Sequence, residues 1–219
     1  MATVLITGAN RGIGLEMASQ CEARGDEVIA VCRRSSAALE AMGVEVFDGI
    51  DVTSGESLAG LAGALGGRRI DRLVNNAGIL ERDSLDELDF DAIERQFRVN
   101  AIGPLRVTAA LRPLLAEGAG VFIITSRMGS IEDNTSGAYY GYRMSKAAVN
   151  IAGKSLSVDL RDAGIAVFLL HPGYVATDMT GGQGIPAEQA TAGLIERMDT
   201  LGLEQSGTFW HQEGYALPW

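Results

Sequence analysis

The sequence predicts an α/β fold in which a parallel sheet is buried between two layers of helices. Short runs rich in valine and isoleucine alternate with longer stretches of helical period, the pattern of successive βαβ units. Several of these runs are apolar throughout, as expected for strands that are covered on both faces. The predicted strands are 4–7, 28–32, 44–47, 72–75, 121–125, 165–171 and the weaker 208–211.

Helical segments separate these strands. The predicted helices are 12–24, 54–65, 89–117, 141–163 and 187–200. Right-handed crossovers place such helices on both faces of the sheet, which gives a doubly wound, Rossmann-like fold. No internal repeat, low-complexity tract or linker interrupts the pattern, and 219 residues suit one domain. We therefore expect a single domain over 1–219 with a sheet of about seven strands.

Composition argues against several classes of protein. The formal net charge of −10 disfavours binding to nucleic acid and to anionic lipid. No apolar run is long enough to span a membrane, and the apolar residues 1–6 are interpreted as a strand, not a signal peptide. The two cysteines, Cys21 and Cys32, fit a reduced, cytoplasmic setting. The two histidines, His171 and His211, are too few for a His-rich zinc site.

A glycine-rich turn follows the first predicted strand, where residues 7–14 read TGANRGIG. Gly8 permits a sharp turn, Gly12 lets a pyrophosphate approach the backbone, and Gly14 allows close packing of helix on strand. The helix that begins there presents free N–H groups and a partial positive charge to phosphates. The turn therefore predicts a dinucleotide site, with a purely structural glycine turn as the alternative.

The end of the second strand indicates which dinucleotide binds. NAD-preferring enzymes usually carry an acidic residue there to hold the ribose hydroxyls, whereas residues 32–36 read CRRSS. Arg33 and Arg34 can pair with a 2′-phosphate, and Arg11 in the glycine turn lies on the same side. The sequence thus predicts NADP(H), and the alternative is that these arginines are merely solvated.

Tyr142 and Lys146 are candidates for acid–base chemistry, because residues four apart share one face of a helix. A phenol has a reference pKa of about 10, and a lysine ammonium one turn away is expected to lower it. Ser126 follows the fifth predicted strand, where its hydroxyl can donate to a developing alkoxide oxygen. Ser130 remains a competitor for that role, because residues 132–140 form a predicted loop between Ser126 and Tyr142.

Pro104 interrupts the helical stretch 89–117. Without an N–H group it leaves the carbonyl of Asn100 without a helical partner, and a buried water is the natural replacement. A simple proline kink is the alternative. His171 precedes a Pro-Gly turn and is interpreted as a structural hydrogen-bonding residue. Side chains for which pocket lining and core packing stay equally open are Ile79, Met128, Tyr140 and Tyr174.

Together these motifs resemble the short-chain dehydrogenase/reductase family over essentially the whole chain. The matching segments are TGxxxGxG at 7–14, NNAG at 75–78, Ser126, YxxxK at 142–146 and Pro-Gly at 172–173. A closer similarity to the C-factor-like and sniffer-like carbonyl reductases rests on SRMGSI at 126–131, GYRMSKAA at 141–148 and the final LPW.

The resemblance implies a catalytic set and a nucleotide-binding set. The catalytic set is Asn100, Ser126, Tyr142 and Lys146, with the Asn100 carbonyl holding a water linked to the lysine. Asp51 and Val52 match the pair that contacts the adenine, and Thr177 matches the hydroxyl near the nicotinamide amide. The other implied NADP(H) contacts are Gly8, Asn10, Arg11, Gly12, Ile13, Gly14, Arg33, Arg34, Asn76, Ala77, Gly78, Tyr142, Lys146, Pro172, Gly173 and Val175.

The function expected on these grounds is NADPH-dependent reduction of an aldehyde or ketone by a homodimer or homotetramer. One alternative is an epimerase or dehydratase of the extended relatives, but these append a substrate domain for which the chain has no room. The other is a catalytically weak NADP(H)-sensing, signalling or scaffold protein on the same fold.

Overall fold

A computed structural model, which describes residues 1–219, has one sheet of seven parallel strands in the order β3-β2-β1-β4-β5-β6-β7. The strand order reverses direction between β1 and β4, which opens a crevice at the carboxyl ends of the strands. The predicted doubly wound fold is confirmed. The strands are β1 (Thr3–Thr7), β2 (Glu27–Val31), β3 (Glu45–Phe47), β4 (Ile70–Asn75), β5 (Leu115–Ile124), β6 (Ala166–His171) and β7 (Thr208–His211).

Helices cover both faces of the sheet. They are α1 (Gly12–Ala23), α2 (Ala37–Glu40), α3 (Gly55–Leu65), α4 (Phe90–Phe97), α5 (Gly103–Leu111), α6 (Tyr140–Asp159) and α7 (Ala187–Thr200). Helix α2 was not predicted, because its single turn is too short to show a helical period; the Ser36 hydroxyl caps it by accepting from the Leu39 N–H. No helix is both long and apolar enough to cross a membrane.

The predicted helix 89–117 is wrong. The segment instead forms α4, a π-helical turn over Arg98–Ile102, α5 and a short 3₁₀ helix, and β5 then begins at Leu115. Residues 115–117 have helix-forming composition, but Leu115 pairs with Ile70 of β4, so tertiary pairing overrides the local preference. The predicted helix 141–163 likewise stops at Asp159 and continues as a separate 3₁₀ turn over Arg161–Ala163.

Two hydrophobic clusters, one on each face of the sheet, form the core. Val4 and Ile6 belong to the cluster under α1 and α7, whereas Leu5 belongs to the cluster under α3, α5 and α6. Because side chains alternate along a strand, both faces of β1 are buried, which explains why the strands read as continuous apolar runs. On the α1 and α7 side, the rings of Phe122 and Phe168 stack with centroids 5.5 Å apart.

Replacing Phe168 tests this packing. Phe168 is 1% exposed, whereas Phe90 at the start of α4 is 69% exposed. We expect Phe168→Ala to lower the free energy of unfolding by about 3–5 kcal/mol. The matched Phe90→Ala should change it by no more than about 0.5 kcal/mol. Urea denaturation measures both, and equal losses would contradict the assignment of Phe168 to the core.

Candidate active site

A cavity of about 1330 Å³ lies at the carboxyl ends of the strands, between the segments that follow β1, β2, β4, β5 and β6. It exceeds the roughly 300–1,000 Å³ of an ordinary ligand pocket, which gives space for a dinucleotide and a second molecule. Ser126, Tyr142, Lys146 and every predicted nucleotide contact except Gly14 line its wall. Asn100 and Gly14 lie behind the wall.

The glycine turn adopts the sharply turned backbone conformation that its glycines predict. Gly8 and Gly12 have φ angles of +68° and +54°, values that side chains disfavour. A Cβ on Gly14 would lie 2.3 Å from the carbonyl oxygen of Gly8, so Gly14 serves helix packing and not the cavity surface. Helix α1 then begins without a side-chain cap, which leaves its first N–H groups available to phosphate oxygens.

Asn76 fixes this turn to the end of β4. Its Nδ2 donates to the carbonyl oxygens of Thr7 and Gly8, at 3.0 and 3.1 Å. The N–H groups of Asn76 and Ala77 both donate to the Thr7 hydroxyl. The NNAG motif therefore shapes the glycine turn as well as contributing residues to the cavity wall.

The arginines beside the turn are suited to a phosphate. Arg33 and Arg34 are exposed and have no ion pair, whereas Arg11 makes only an exposed pair with Asp178 at 3.6 Å. The carboxylate of Asp51, also on the wall, accepts from the N–H and hydroxyl of Thr53. These hydrogen bonds, the one from the Thr53 N–H first, lower the pKa of Asp51, so it is ionised at neutral pH.

Ser126, Tyr142 and Lys146 come together from the end of β5 and the start of α6. The Ser126 hydroxyl accepts from the Met128 N–H at 3.1 Å, and it lies near enough to the Tyr142 phenol to lower the pKa of that phenol. The Lys146 Nζ lies 5.6 Å from the centroid of the Tyr142 ring and donates to the Ile124 carbonyl at 2.9 Å. Ser130 is not on the wall, and its hydroxyl instead accepts from the Asp133 N–H. Only one of the two candidate serines therefore faces the cavity.

Burial controls the ionisation of this group. It raises the pKa of Tyr142 to about 12, although the hydrogen bond from Ser126 acts in the opposite direction. Burial also lowers the pKa of Lys146 to about 8. The expected lowering of the phenol pKa by Lys146 is therefore wrong, because desolvation of the phenol dominates. At neutral pH the phenol carries its proton and can give it to a bound molecule.

Asn100 lies in the π-helical turn, and its side chain joins two segments. Oδ1 accepts from the Ile79 N–H, and Nδ2 donates to the Ile79 carbonyl, both at 2.8 Å. Nδ2 also donates to the Ser145 hydroxyl of α6 at 3.0 Å. The turn itself closes through the Gly103 N–H and the Arg98 carbonyl, directly before Pro104, which is where the sequence predicted an interruption. The water on the Asn100 carbonyl stays a prediction.

The start of α6 contains site features that sequence reasoning missed. Gly137, Ala138 and Tyr139 have consecutive φ angles of +65°, +52° and +53°. A residue with a side chain costs roughly 1–2 kcal/mol in this left-handed backbone conformation. Neither alanine nor tyrosine is typical of it, so the sequence does not predict the turn. Arg143 stabilises the turn: its Nε donates to the carbonyls of Gly137 and Ala138, at 3.2 and 3.0 Å. The turn places Tyr139 on the cavity wall, whereas Tyr140 is not part of it.

Asp83, also missed, caps α6 from the segment after β4. Its carboxylate oxygens accept from the N–H groups of Tyr140 and Gly141, the latter at 2.9 Å. A carboxylate at this position stabilises the helix, because its negative charge lies beside the positive end of the helix dipole. The cap comes from a distant part of the chain, so no local capping pattern reveals it.

The sequence profile of the short chain dehydrogenase family matches residues 2–186. The chain belongs to the short-chain dehydrogenase/reductase family. It is 47% identical over its full length to the full length of a Rhodococcus sp. protein, 1-hydroxy-2-glutathionyl-2-methyl-3-butene dehydrogenase. It is 46% identical to C-signal of Myxococcus xanthus over 154 residues, which cover 68% of this chain and 93% of that protein.

Solved structures give the same relationship. NADPH-bound carbonyl reductase from chicken fatty liver is 29% identical with a TM-score of 0.92, covering 100% of this chain and 99% of that chain. Carbonyl reductase Sniffer of D. melanogaster is 29% identical with a TM-score of 0.91, covering 100% of both chains. The resemblance to the sniffer-like branch of the short-chain dehydrogenase/reductases is confirmed.

His171 on the wall of this short-chain dehydrogenase/reductase is a half-buried, neutral imidazole. Its Nδ1 is buried and has no hydrogen-bond partner, so the expected structural hydrogen bond is absent at that atom. Its ring packs edge-on against His211, with centroids 5.1 Å apart. Burial lowers the pKa of His171 to about 3, and the charges of His211, Arg127 and Lys146 act in the same direction.

Acid titration tests this environment. Because the folded-state pKa is below the unfolded value of about 6.5, the neutral imidazole contributes stability above pH 6.5 that is lost as the pH falls towards 3. We expect His171 to account for up to about 2 kcal/mol of the stability lost between pH 7 and pH 5. His171→Asn should reduce that loss, and His171→Gln serves as a second variant. Urea denaturation at both pH values measures it; an unchanged pH dependence in both variants would refute the assignment.

Proposed function

We propose that this protein reduces an aldehyde or ketone to an alcohol with NADPH. The observation that carries the proposal is the convergence of Ser126, Tyr142 and Lys146 on the cavity that also contains the glycine turn. Hydride acceptance at a carbonyl carbon requires a proton for the oxygen. A buried phenol that keeps its proton at neutral pH is suited to supply it.

The residues present fit NADP(H). The uncapped start of α1 and the backbone of Gly12 suit the pyrophosphate, and Arg11, Arg33 and Arg34 suit the 2′-phosphate. Asp51 and Val52 are proposed for the adenine side. The nicotinamide side is proposed to be formed by Pro172, Gly173, Val175 and Thr177. The structurally similar chicken carbonyl reductase has NADPH bound.

When bound, NADPH supplies the hydride that forms the new C–H bond at the carbonyl carbon. The Tyr142 hydroxyl gives its proton to the carbonyl oxygen, which completes the alcohol. Ser126 donates a hydrogen bond to the same oxygen and stabilises the negative charge that develops there. Lys146 replenishes the proton of Tyr142, because a pKa of about 8 allows it to exchange protons near neutral pH. Asn100 holds the Ile79 segment and α6 in register, and its carbonyl is proposed to hold the relay water.

Alcohol oxidation is a second candidate, favoured by the full-length relative named as a dehydrogenase of a glutathionyl-bearing alcohol. That direction requires Tyr142 to accept a proton, so high pH should favour it. Assays of a carbonyl compound with NADPH and of its alcohol with NADP⁺ distinguish the two directions. A sensing or signalling role is kept open by the similarity to C-signal, but the convergent Ser126, Tyr142 and Lys146 favour catalysis.

We also propose a homodimer or homotetramer in the cytoplasm. The family resemblance supports the assembly, and the two unbridged cysteines, Cys21 and Cys32, fit a reducing compartment.

Replacing Tyr142 tests the catalytic assignment. Tyr142→Phe should lower turnover of NADPH with reactive aldehydes by roughly 10²–10⁴-fold, because it removes only the proton donor. The dissociation constant for NADPH, measured by fluorescence titration, should stay nearly unchanged. Tyr140→Phe is the matched control, since that ring does not line the cavity. Wild-type turnover in Tyr142→Phe would show the assignment to be wrong.

Replacing both arginines after β2 tests the nucleotide preference. Arg33→Ala/Arg34→Ala should weaken NADPH binding roughly tenfold or more, the effect of losing charge-assisted hydrogen bonds to a phosphate. NADH lacks that phosphate and acts as the internal control, so its affinity should change little. Equal weakening for both nucleotides, or equal wild-type affinities, would contradict the predicted preference for NADP(H).

A further inference from the structure

A second group of arginines lies in the cavity, away from the proposed phosphate site. Arg82 follows β4, Arg127 follows β5, and Arg143 lies in the first turn of α6. The arginines proposed for the 2′-phosphate follow β1 and β2, which lie on the other side of the reversal in strand order. We call Arg82, Arg127 and Arg143 the substrate-side arginines.

The positive charge of this group is only partly balanced. Arg143 donates to the carbonyls of Gly137 and Ala138 and to the Ser136 hydroxyl, and none of these acceptors carries a charge. It makes no ion pair, and its Nη1 makes no hydrogen bond. A fixed guanidinium with donors to spare is already oriented for an anion.

The neighbouring charges leave this excess in place. Arg82 is exposed and makes neither a hydrogen bond nor an ion pair, whereas Arg127 pairs with Asp133 at 2.7 Å. Glu81 is the acidic residue on this part of the wall, but it pairs with Arg95 at 2.7 Å. Three arginines on one part of the wall create a local positive field in a chain of net charge −10, and such a field attracts anions.

We propose that the physiological substrate carries a carboxylate, which the substrate-side arginines bind while its carbonyl or alcohol carbon lies beside Tyr142. This proposal rests on the proposed oxidoreductase function for the reacting end of the substrate. Guanidinium groups bind carboxylates through paired, charge-assisted hydrogen bonds, which fix orientation as well as charge. The arginines are therefore specificity-determining residues, and they select anionic substrates over neutral ones of the same reactivity.

A pair of probes isolates the carboxylate. 4-Formylbenzoate and its methyl ester present an aldehyde on the same ring but differ in charge. We expect wild type to show a kcat/KM ratio of acid to ester of roughly ten or more, mainly through KM. The ratio should fall as salt is added, because ions screen exposed charges.

Arg82→Gln tests the arginines with the least risk to the fold, since Arg82 is exposed and has no hydrogen bond or ion pair to lose. The acid-to-ester ratio should fall several-fold. Arg69→Gln is the matched control: Arg69 is exposed and unpaired too, but lies at the start of β4, on the opposite edge of the sheet. It should keep the wild-type ratio. Thermal denaturation checks that both variants fold.

Binding of terephthalate to the protein saturated with NADP⁺, measured by calorimetry, tests the site without turnover. Weaker terephthalate binding in Arg82→Gln than in Arg69→Gln supports the carboxylate proposal even if neither aldehyde is reduced. Failure to reduce either aldehyde would refute only the proposed reductase function. A ratio near one in wild type, together with identical terephthalate binding in the two variants, overturns the carboxylate proposal. Turnover of both aldehydes would then leave the reductase function standing.

Discussion

The hydrogen bonds of the Asn100 side chain are the constraint on which the geometry of the site depends. One amide group is bonded to both the N–H and the carbonyl of Ile79 and to the Ser145 hydroxyl, so it joins the segment after β4 to α6. That segment also shapes the glycine turn through Asn76, while α6 carries Tyr142 and Lys146. The glycine turn and the start of α6 are therefore connected through one buried amide, which fixes their relative positions.

Burial determines the ionisation of Tyr142 and Lys146. Lys146 is 5% exposed, and its Nζ donates to the Ile124 carbonyl of β5. Desolvation moves the pKa of Lys146 down and that of Tyr142 up, so each group is pushed towards its neutral form. A neutral phenol is a proton donor, whereas the ionised form required for oxidation needs additional positive charge beside it. The neutral phenol is therefore in the form that suits the proposed reduction.

The sequence predicted the parts of the site that parallel strands place together. Residues directly after β1, β4, β5 and β6 meet at one edge of the sheet, so motifs at 7–14, 75–78 and 172–173 and Ser126 could be assigned to one cavity in advance. The remainder depends on contacts between distant segments. Asp83 caps α6 from another part of the chain, and the positive φ of Tyr139 is imposed by its surroundings. Helical composition at 115–117 was misleading for the same reason, because pairing with β4 decided the outcome.

The arginines at the two ends of the cavity oppose the negative charge of the rest of the protein. A net charge of −10 repels anions at a distance, so an anionic nucleotide or substrate gains affinity only where arginines create a local positive field. Arg33 and Arg34 are exposed and unpaired at one end, and Arg82 is exposed and unpaired at the other. The two groups follow strands on opposite sides of the reversal in strand order, so each is placed to act on a different part of what the cavity binds. We therefore expect changes at Arg33 and Arg34 to affect mainly nucleotide affinity, and changes at Arg82 to affect mainly substrate affinity.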